Sequence, residues 1–312
     1  MAQQLLAART RIAPTPSGYL HVGNAFSFVV TALVAMRQGA DIVLRIDDLD
    51  RERFRLPYLE DVFNVLDFLS IEPTIGPSGP EAFLKTYSQH LRIDRYMVLL
   101  NTLRDAGLLY ACHCSRKMFT EVAPHAFCAC KSQQLAFEQP EVVWRWAGDL
   151  PQLSCTDYDG TSTLVDLSIT PGRTALFQRN QLPAYQIASL SDDLDFGITH
   201  IVRGADLIDS TAFQLHLAQQ LDRPTFAQIK FLHHGLVQLE SMKLSKSEGA
   251  TAVHWARSQG FTRTSFFTSL AQSWGLQAKK VDQLRELNDL LGDAFPACTR
   301  GDFNTQTIIA SR

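Results

Sequence analysis

Long apolar runs are missing from this chain. No stretch approaches the roughly 18 residues that a membrane-spanning helix needs, and the opening MAQQLLAARTRIAP has neither the apolar core nor the small-residue cleavage site of a secretory signal. A cytoplasmic protein with no membrane partner is expected. Strong charge of either sign is missing too. With 29 Lys and Arg against 32 Asp and Glu the net charge is −3, so any contact with nucleic acid must rest on a local patch rather than on the whole surface. There is no internal repeat and no low-complexity tract, and 46% hydrophobic against 20% charged residues argues against long disordered regions. What is present is a chain of 312 residues, enough for about two domains and a substantial core.

Arg9 to Ala13 reads as a strand entering the loop PTPSG. Asn24 to Arg37 carries apolar side chains on almost every side (Phe26, Phe28, Val29, Val30, Leu33, Val34), as a buried helix does, and Gly39 is its stop signal. DIVLRI, Asp41 to Ile46, is continuously apolar rather than alternating, the pattern of a parallel strand buried on both faces. Strand, loop, helix and strand make a βαβ unit, the start of a doubly wound α/β domain. Tyr58 to Leu69 is amphipathic, with Leu59, Val62, Phe63, Leu66 and Leu69 on one face, and Leu91 to Leu109 is a second helix with Tyr96, Leu99, Leu100 and Leu103 inward. From Ala111 to about Asn180 the composition shifts to short segments with cysteines, tryptophans and turn residues, as in an inserted subdomain. Helix and strand signals then return, with a helix from Ser210 to Leu221 and a strand near Ile229 to His233. The expected division is 1–110 and 181–249 for the halves of a Rossmann-type catalytic domain, 111–180 for the insert, and 250–312 for a helical C-terminal segment.

Two segments carry chemistry. In APTPSGYLHVGN the prolines stiffen a loop, Gly18 and Gly23 let backbone approach a ligand, and a helix beginning near Asn24 turns its free N–H groups toward whatever the loop holds. It is neither a Walker loop nor a dinucleotide fingerprint, because the spacing of both is absent. His21 stands at the mouth of such a site, able to donate to phosphate oxygens. Taken alone, PTPSG fits an ordinary turn equally well. MKLSKSEG, Met242 to Gly249, places Lys243 and Lys246 three apart, a pair that clamps a polyphosphate or merely decorates a surface loop.

Of the six cysteines, Cys155 and Cys298 stand alone and read as small buried residues. The other four form C-x-C, thirteen residues, C-x-C: Cys112, Cys114, Cys128 and Cys130. Two close thiolate pairs in a reducing compartment read as a tetrahedral Zn²⁺ site, with disulfides as the alternative. The role is structural, because the insert is too small to be held by its own core.

Together, LHVGN and KLSKS resemble the HIGH and KMSKS signatures of class I aminoacyl-tRNA synthetases. RIAPTPSGYLHVG followed by LRIDDLDRER is similar to the glutamyl/glutaminyl group of that family, and AYQIASLSDDLDFGITHIVRGADLIDST is similar to the segment lining its amino-acid pocket. A full glutamyl-tRNA synthetase carries an anticodon-binding domain for which the 65 residues after Ser247 leave no room. The resemblance is therefore to the shortened glutamyl-Q tRNA(Asp) synthetase subfamily, which attaches glutamate to the queuosine base of tRNA(Asp). RGADLIDST looks like that subfamily as well.

The resemblance implies a class I Rossmann-type fold, with ATP, Mg²⁺ and Zn²⁺ as cofactors, glutamate and tRNA as partners, and a monomer. Arg11, Tyr185 and Arg203 match positions that hold glutamate, Asp47 the acid that pairs with its α-amino group, and Thr15 the polar loop beside it. Ser17, Gly18, His21, Gly23, Asn24 and Lys246 match the ATP site, where His21, Lys243 and Lys246 are the catalytic side chains. At the zinc the subfamily uses C-x-C, a tyrosine and a cysteine. Cys112, Cys114 and Cys130 match that frame and Cys128 replaces the tyrosine, with His113 or His125 as a substitute for one ligand. Departures are Asp47 for Glu, which shortens the reach by one methylene and leaves glutamine open as a substrate, Thr15 for Ser, and Ser189 for a pocket Asn. Two other readings stand beside this one. The first is a truncated glutamyl ligase charging tRNA or another acceptor, such as a carrier protein or small molecule. The second is a non-catalytic tRNA-binding paralogue.

Overall fold

The computed structural model describes residues 7–115, 118, 128–169, 174–238, 252–301 and 303–304. Arg9–Ile12 (β1) and Asp41–Leu44 (β2) pair in parallel, Arg9 beside Asp41 through Ile12 beside Leu44. The crossover between them is Val22–Gln38 (α1), buried on nearly every side. Gly39 ends it in the left-handed region, φ 58°, with its N–H on Ala35 O, where a side chain would be strained. The helix starts two residues before the expected Asn24. β2 is shorter than the apolar run DIVLRI and only its second half is fully buried. The ladder stops because β1 runs into Pro14, which has no N–H to donate. Its carbonyl still accepts from Asp47 N–H at 2.9 Å, so Arg45 to Asp47 stay against the loop.

Leu56–Leu69 (α2) buries Leu59, Asp61, Val62, Val65, Leu66 and Leu69, while the expected Phe63 is only half-buried. Ile93–Asp105 (α3) buries Tyr96, Leu99, Leu100 and Leu103 as expected, but it ends before Gly107, φ 71°, and Leu109 belongs to the next strand. The cysteine-bearing region is antiparallel. Leu109–Cys112 (β3), Val143–Trp146 (β4) and Ala175–Phe177 form one sheet, while Gln152–Thr156 (β5) and Ser162–Asp166 (β6) form a hairpin; Ala175–Phe177 is β7. Tyr185–Asp195 (α4), His200–Gly204 (β8), Ile208–Gln220 (α5) and Lys230–His234 (β9) follow, with β8 and β9 parallel. Val237–Gln238 (β10) precedes the helices Val253–Ser258 (α6), Arg263–Ser273 (α7) and Leu284–Leu291 (α8) and pairs with Phe303–Asn304 (β11).

These elements make two compact units, one of Met1–Ser88, Ile198–Asp206 and Lys230–Arg312, the other of Gln89–Gly197 and Leu207–Ile229. In the first, Thr199 N–H donates to Arg9 O at 2.9 Å, setting β8 alongside β1. Arg37, in the last turn of α1, donates to Asn288 Oδ1 and O and to Gly292 O, and lies over the Phe295 ring, tying α8 to α1. In the second unit, Asp192 of α4 is wholly buried and accepts from Arg92 Nε and Nη2 (2.9 and 2.8 Å), Tyr96 Oη (2.9 Å) and Gln89 Nε2 (3.0 Å). Both carboxylate oxygens are satisfied, as burial demands. Among the described residues no helix is long and apolar enough to cross a membrane. Cys155 is buried as expected; Cys298 is only half-buried.

Candidate active site

The loop between β1 and α1 ends on a histidine cap. His21 has extended backbone (φ −91°, ψ 171°), its Nδ1 accepts from Gly23 N–H at 3.0 Å, and Asn24 Oδ1 takes the His21 N–H at 2.9 Å. An Nδ1 that accepts carries no proton, so the neutral ring holds its hydrogen on Nε2 and keeps one outward donor. His21 is among the exposed residues, yet the protein around it desolvates the ring enough to lower its pKa below the ordinary imidazole value. The first turn of α1 contains no acidic side chain, so its positive dipole end is left for a ligand anion. Gly18 has open space where a Cβ would stand, whereas a Cβ on Gly23 would sit 2.8 Å from His21 Cε1 and 2.9 Å from Nδ1. Gly23 therefore makes room for the histidine ring itself, a different reason from the ligand approach read from the sequence.

The residues matched to glutamate recognition divide between the units. Arg11 and Arg203 are 4% and 3% exposed. Arg11 Nη1 donates to Val202 O at 2.9 Å, one residue before Arg203, whose guanidinium lies 5.6 Å from the Phe231 ring centroid. Two buried cations thus come from adjoining strands, β1 and β8. Asp47 follows β2 and is held in a fork by Arg45, Nε to Oδ1 at 2.8 Å and Nη2 to Oδ2 at 3.0 Å. Thr15 is exposed and Ser17 half-buried on the loop, with Ser17 N–H on Thr15 O. Tyr185 is half-buried at the start of α4 in the second unit, and Ser189 is fully buried one turn on.

Lys243 and Lys246 lie outside the described residues. The chain on either side of them does not. A Cβ on Gly23 would come 3.6 Å from Val237 Cβ, Ala252 bridges to His21, and Val253 N–H donates to Leu20 O at 2.9 Å. Val237, Ala252 and Val253, described residues on either side, thus lie beside the histidine cap.

In the second unit the four cysteines converge. Cys112, Cys114, Cys128 and Cys130 place their sulfurs within 4.8 Å of one another, with Cys112–Cys128 at 3.4 Å and Cys114–Cys130 at 3.7 Å. A tetrahedral zinc with Zn–S bonds of about 2.3 Å needs sulfurs about 3.8 Å apart, while a disulfide needs about 2 Å. The set fits a closed zinc site and not a disulfide pair. Burial pushes the Cys112 thiol up to about 11, so a cation is what would turn these thiols into ligands. Burial also opposes the Cys128 thiolate, but its hydrogen-bonding partners Tyr110, Cys112 and Cys130 bring its pKa down overall; the Cys128 thiol donates to Tyr110 Oη at 3.6 Å. His113 bonds Gln139 at 3.1 Å and stands exposed outside the cluster; His125 lies outside the described residues. Beside the cluster is a cavity of about 710 Å³ whose lining includes Cys114, Arg145, Gln178, Arg179, Tyr185 and Gln186.

Residues 7–291 match the family model described as tRNA synthetases class I (E and Q), catalytic domain. The chain belongs to that family. It is 29% identical over 325 residues to Glutamate–tRNA ligase 1 of Alkalilimnicola ehrlichii, covering 96% of this chain but only 64% of that relative's length. Among solved structures it resembles the glutamate-tRNA synthetase of Elizabethkingia anophelis (20% identity, TM-score 0.74, 97% of this chain and 69% of the other). It also resembles a glutamate tRNA ligase from Elizabethkingia meningosepticum CCUG26117 (19% identity, TM-score 0.74, 97% and 68%). At these identities the two structures speak for the fold, an α/β class I synthetase catalytic fold.

Several residues in this synthetase fold escape a reading by motif. Arg45 sits inside an apolar run and gives no sign of its fork with Asp47. Arg145, buried in β4, donates from Nη2 to Cys114 O at 3.1 Å and so braces the cysteine loop. Asp61 did leave a signal: an acid between Leu59 and Val62 on the apolar face of α2.

Proposed function

We propose that this protein activates glutamate with ATP and transfers it to the queuosine base of tRNA(Asp). The observation that carries the activation step is the pair of buried guanidiniums, Arg11 and Arg203, on adjoining strands β1 and β8. They share their compact unit with the Asp47 carboxylate and the capped start of α1. A substrate with two carboxylates and one ammonium needs two cations and an acid in one place; the resemblance assigns the part of polar orienter to Tyr185. His21 Nε2–H and the positive end of the α1 dipole receive the triphosphate, flanked by Ser17, Gly18, Gly23 and Asn24. A glutamate carboxylate oxygen attacks the α-phosphorus while its bond to pyrophosphate breaks. Lys243 and Lys246 take up the negative charge gathering on the departing pyrophosphate. A hydroxyl of the acceptor then attacks the acyl carbon and AMP leaves. Mg²⁺, when bound, neutralises phosphate charge during the first step.

For the acceptor, support comes from RGADLIDST, which looks like the queuosine-specific subfamily, and from the cysteine frame shared with it. The cavity beside Cys114 and Tyr185, with Arg145 and Arg179 on its wall, suits a polar nucleoside. Zn²⁺, held by Cys112, Cys114, Cys128 and Cys130, would brace the insert at 111–180. Within this reading 1–110 and 181–249 supply the two catalytic halves and 250–312 a helical support. The decisive experiment is glutamate charging of tRNA with and without queuosine, preceded by ATP–pyrophosphate exchange with glutamate and with glutamine. Equal charging of both tRNAs transfers the case to a general glutamyl ligase, exchange with glutamine alone overturns the pocket assignment, and no exchange at all favours a binding paralogue.

A further inference from the structure

Leu20 directly precedes the His21 cap, and its peptide is gripped from both sides. Its N–H donates to Asp61 Oδ2 of α2 at 2.8 Å, and its carbonyl accepts from Val253 N–H at the start of α6 at 2.9 Å. The neighbouring side chain is held by the same two helices, because the Tyr19 ring lies 5.0 Å from Tyr58 and 4.1 Å from His254. Ala252 bridges to His21 itself. Residues 19–21 therefore sit between α2 and the start of α6.

Asp61 is the unusual member of this clamp. Its residue is 3% exposed on a face shared with Leu59, Val62 and Val65. Hiding a carboxyl there works against stability, and an apolar residue of like size would pack the face better. Burial pushes its pKa up, opposed by the Leu20 N–H and by the charges of His254 and Arg257. What the carboxyl supplies and an apolar residue cannot is a fixed acceptor for one loop N–H.

We propose that Asp61 is a positioning residue for the nucleotide: by holding the Leu20 peptide it fixes the His21 cap that addresses the triphosphate. The inference rests on His21 as an ATP-phosphate donor. It needs no particular amino acid or acceptor, and its test can be read without either.

Asp61→Asn keeps an acceptor oxygen and Asp61→Leu removes it at similar size. Should the leucine variant not fold, Asp61→Ala, which adds no bulk, takes its place. ATP affinity is measured by calorimetry without glutamate, exchange kinetics give the KM for ATP and for glutamate separately, and hydrogen exchange reports the Leu20 amide. Removing the acceptor should weaken ATP binding about tenfold and deprotect the Leu20 amide, the scale of one buried donor left unpaired. The KM for glutamate should stay within about twofold, and the asparagine variant should recover most of the ATP affinity. Native ATP affinity without the acceptor, an asparagine variant no better than leucine, or parallel rises in both KM values would each overturn the proposal. A native protein that binds ATP but shows no exchange with glutamate overturns the functional reading instead, and leaves the ATP comparison to decide the role of Asp61.

Discussion

Replacing Gly23 with alanine separates two accounts of the same glycine. The new Cβ would lie 2.8 and 2.9 Å from His21 Cε1 and Nδ1, inside any carbon contact, so the imidazole must leave the cap. Loss of a helix cap costs about 1 kcal/mol, and alanine in place of glycine in a helix returns roughly 0.8–1 kcal/mol. The two nearly offset, so the urea midpoint should hardly move. Activity should not be spared, because His21 no longer aims its Nε2–H; one lost preorganised donor is worth about 100-fold in kcat. The assay is glutamate-dependent ATP–pyrophosphate exchange in Gly23→Ala, His21→Ala and the double variant. If the glycine serves the histidine, the double variant should match His21→Ala alone, since the ring it displaces is already gone. If the double variant is further impaired by the full factor, Gly23 instead clears a path for the ligand backbone contact, and the reasoning here fails. An unchanged Gly23→Ala enzyme would refute both.

The His21 ring should titrate below the ordinary imidazole range, because desolvation disfavours its charged form. A depressed folded pKa adds stability above the unfolded value and loses it as pH falls through the folded one, and ¹⁵N NMR should find the proton on Nε2 at neutral pH. A midpoint above that of a free imidazole would contradict the cap geometry. Lys246→Ala should slow adenylate formation by about two to three orders of magnitude with little change in the KM for glutamate; an unchanged rate would remove the lysine from the mechanism. Elemental analysis should find about one zinc per chain. Cys112→Ser or Cys130→Ser should lose it, destabilise the second unit and impair acceptor use before glutamate activation, whereas metal-free protein that is equally stable and charges normally would refute a structural site. Asp192→Ala removes the shared partner of Arg92, Tyr96 and Gln89 and leaves a guanidinium buried, a loss of about 3–5 kcal/mol that urea unfolding should register. A loss under about 1 kcal/mol would mean water replaces the carboxylate.

Local chemistry let much of this protein be read along the chain. The unbroken apolar face of α1, the stop at Gly39 and the inward set Tyr96, Leu99, Leu100 and Leu103 follow from periodicity, which depends on neighbours a few residues apart. The paired C-x-C spacing likewise announced four thiols, and the family motifs marked His21, Arg11, Asp47 and Arg203. Tertiary structure decided what no local pattern encodes. β2 ends at Leu44 because its partner strand reaches Pro14, and α3 gives up Leu109 to a sheet whose next strand begins at Val143. The fork of Arg45 on Asp47 and the room Gly23 leaves for His21 join residues two apart, and the backbone turn at each place sets them. Asp61 becomes the acceptor for Leu20, 41 positions away. The strand boundaries and the Asp61 bond are set by how strands and helices pack, and a buried carboxyl or a missing Cβ acquires its meaning only from the atom placed against it.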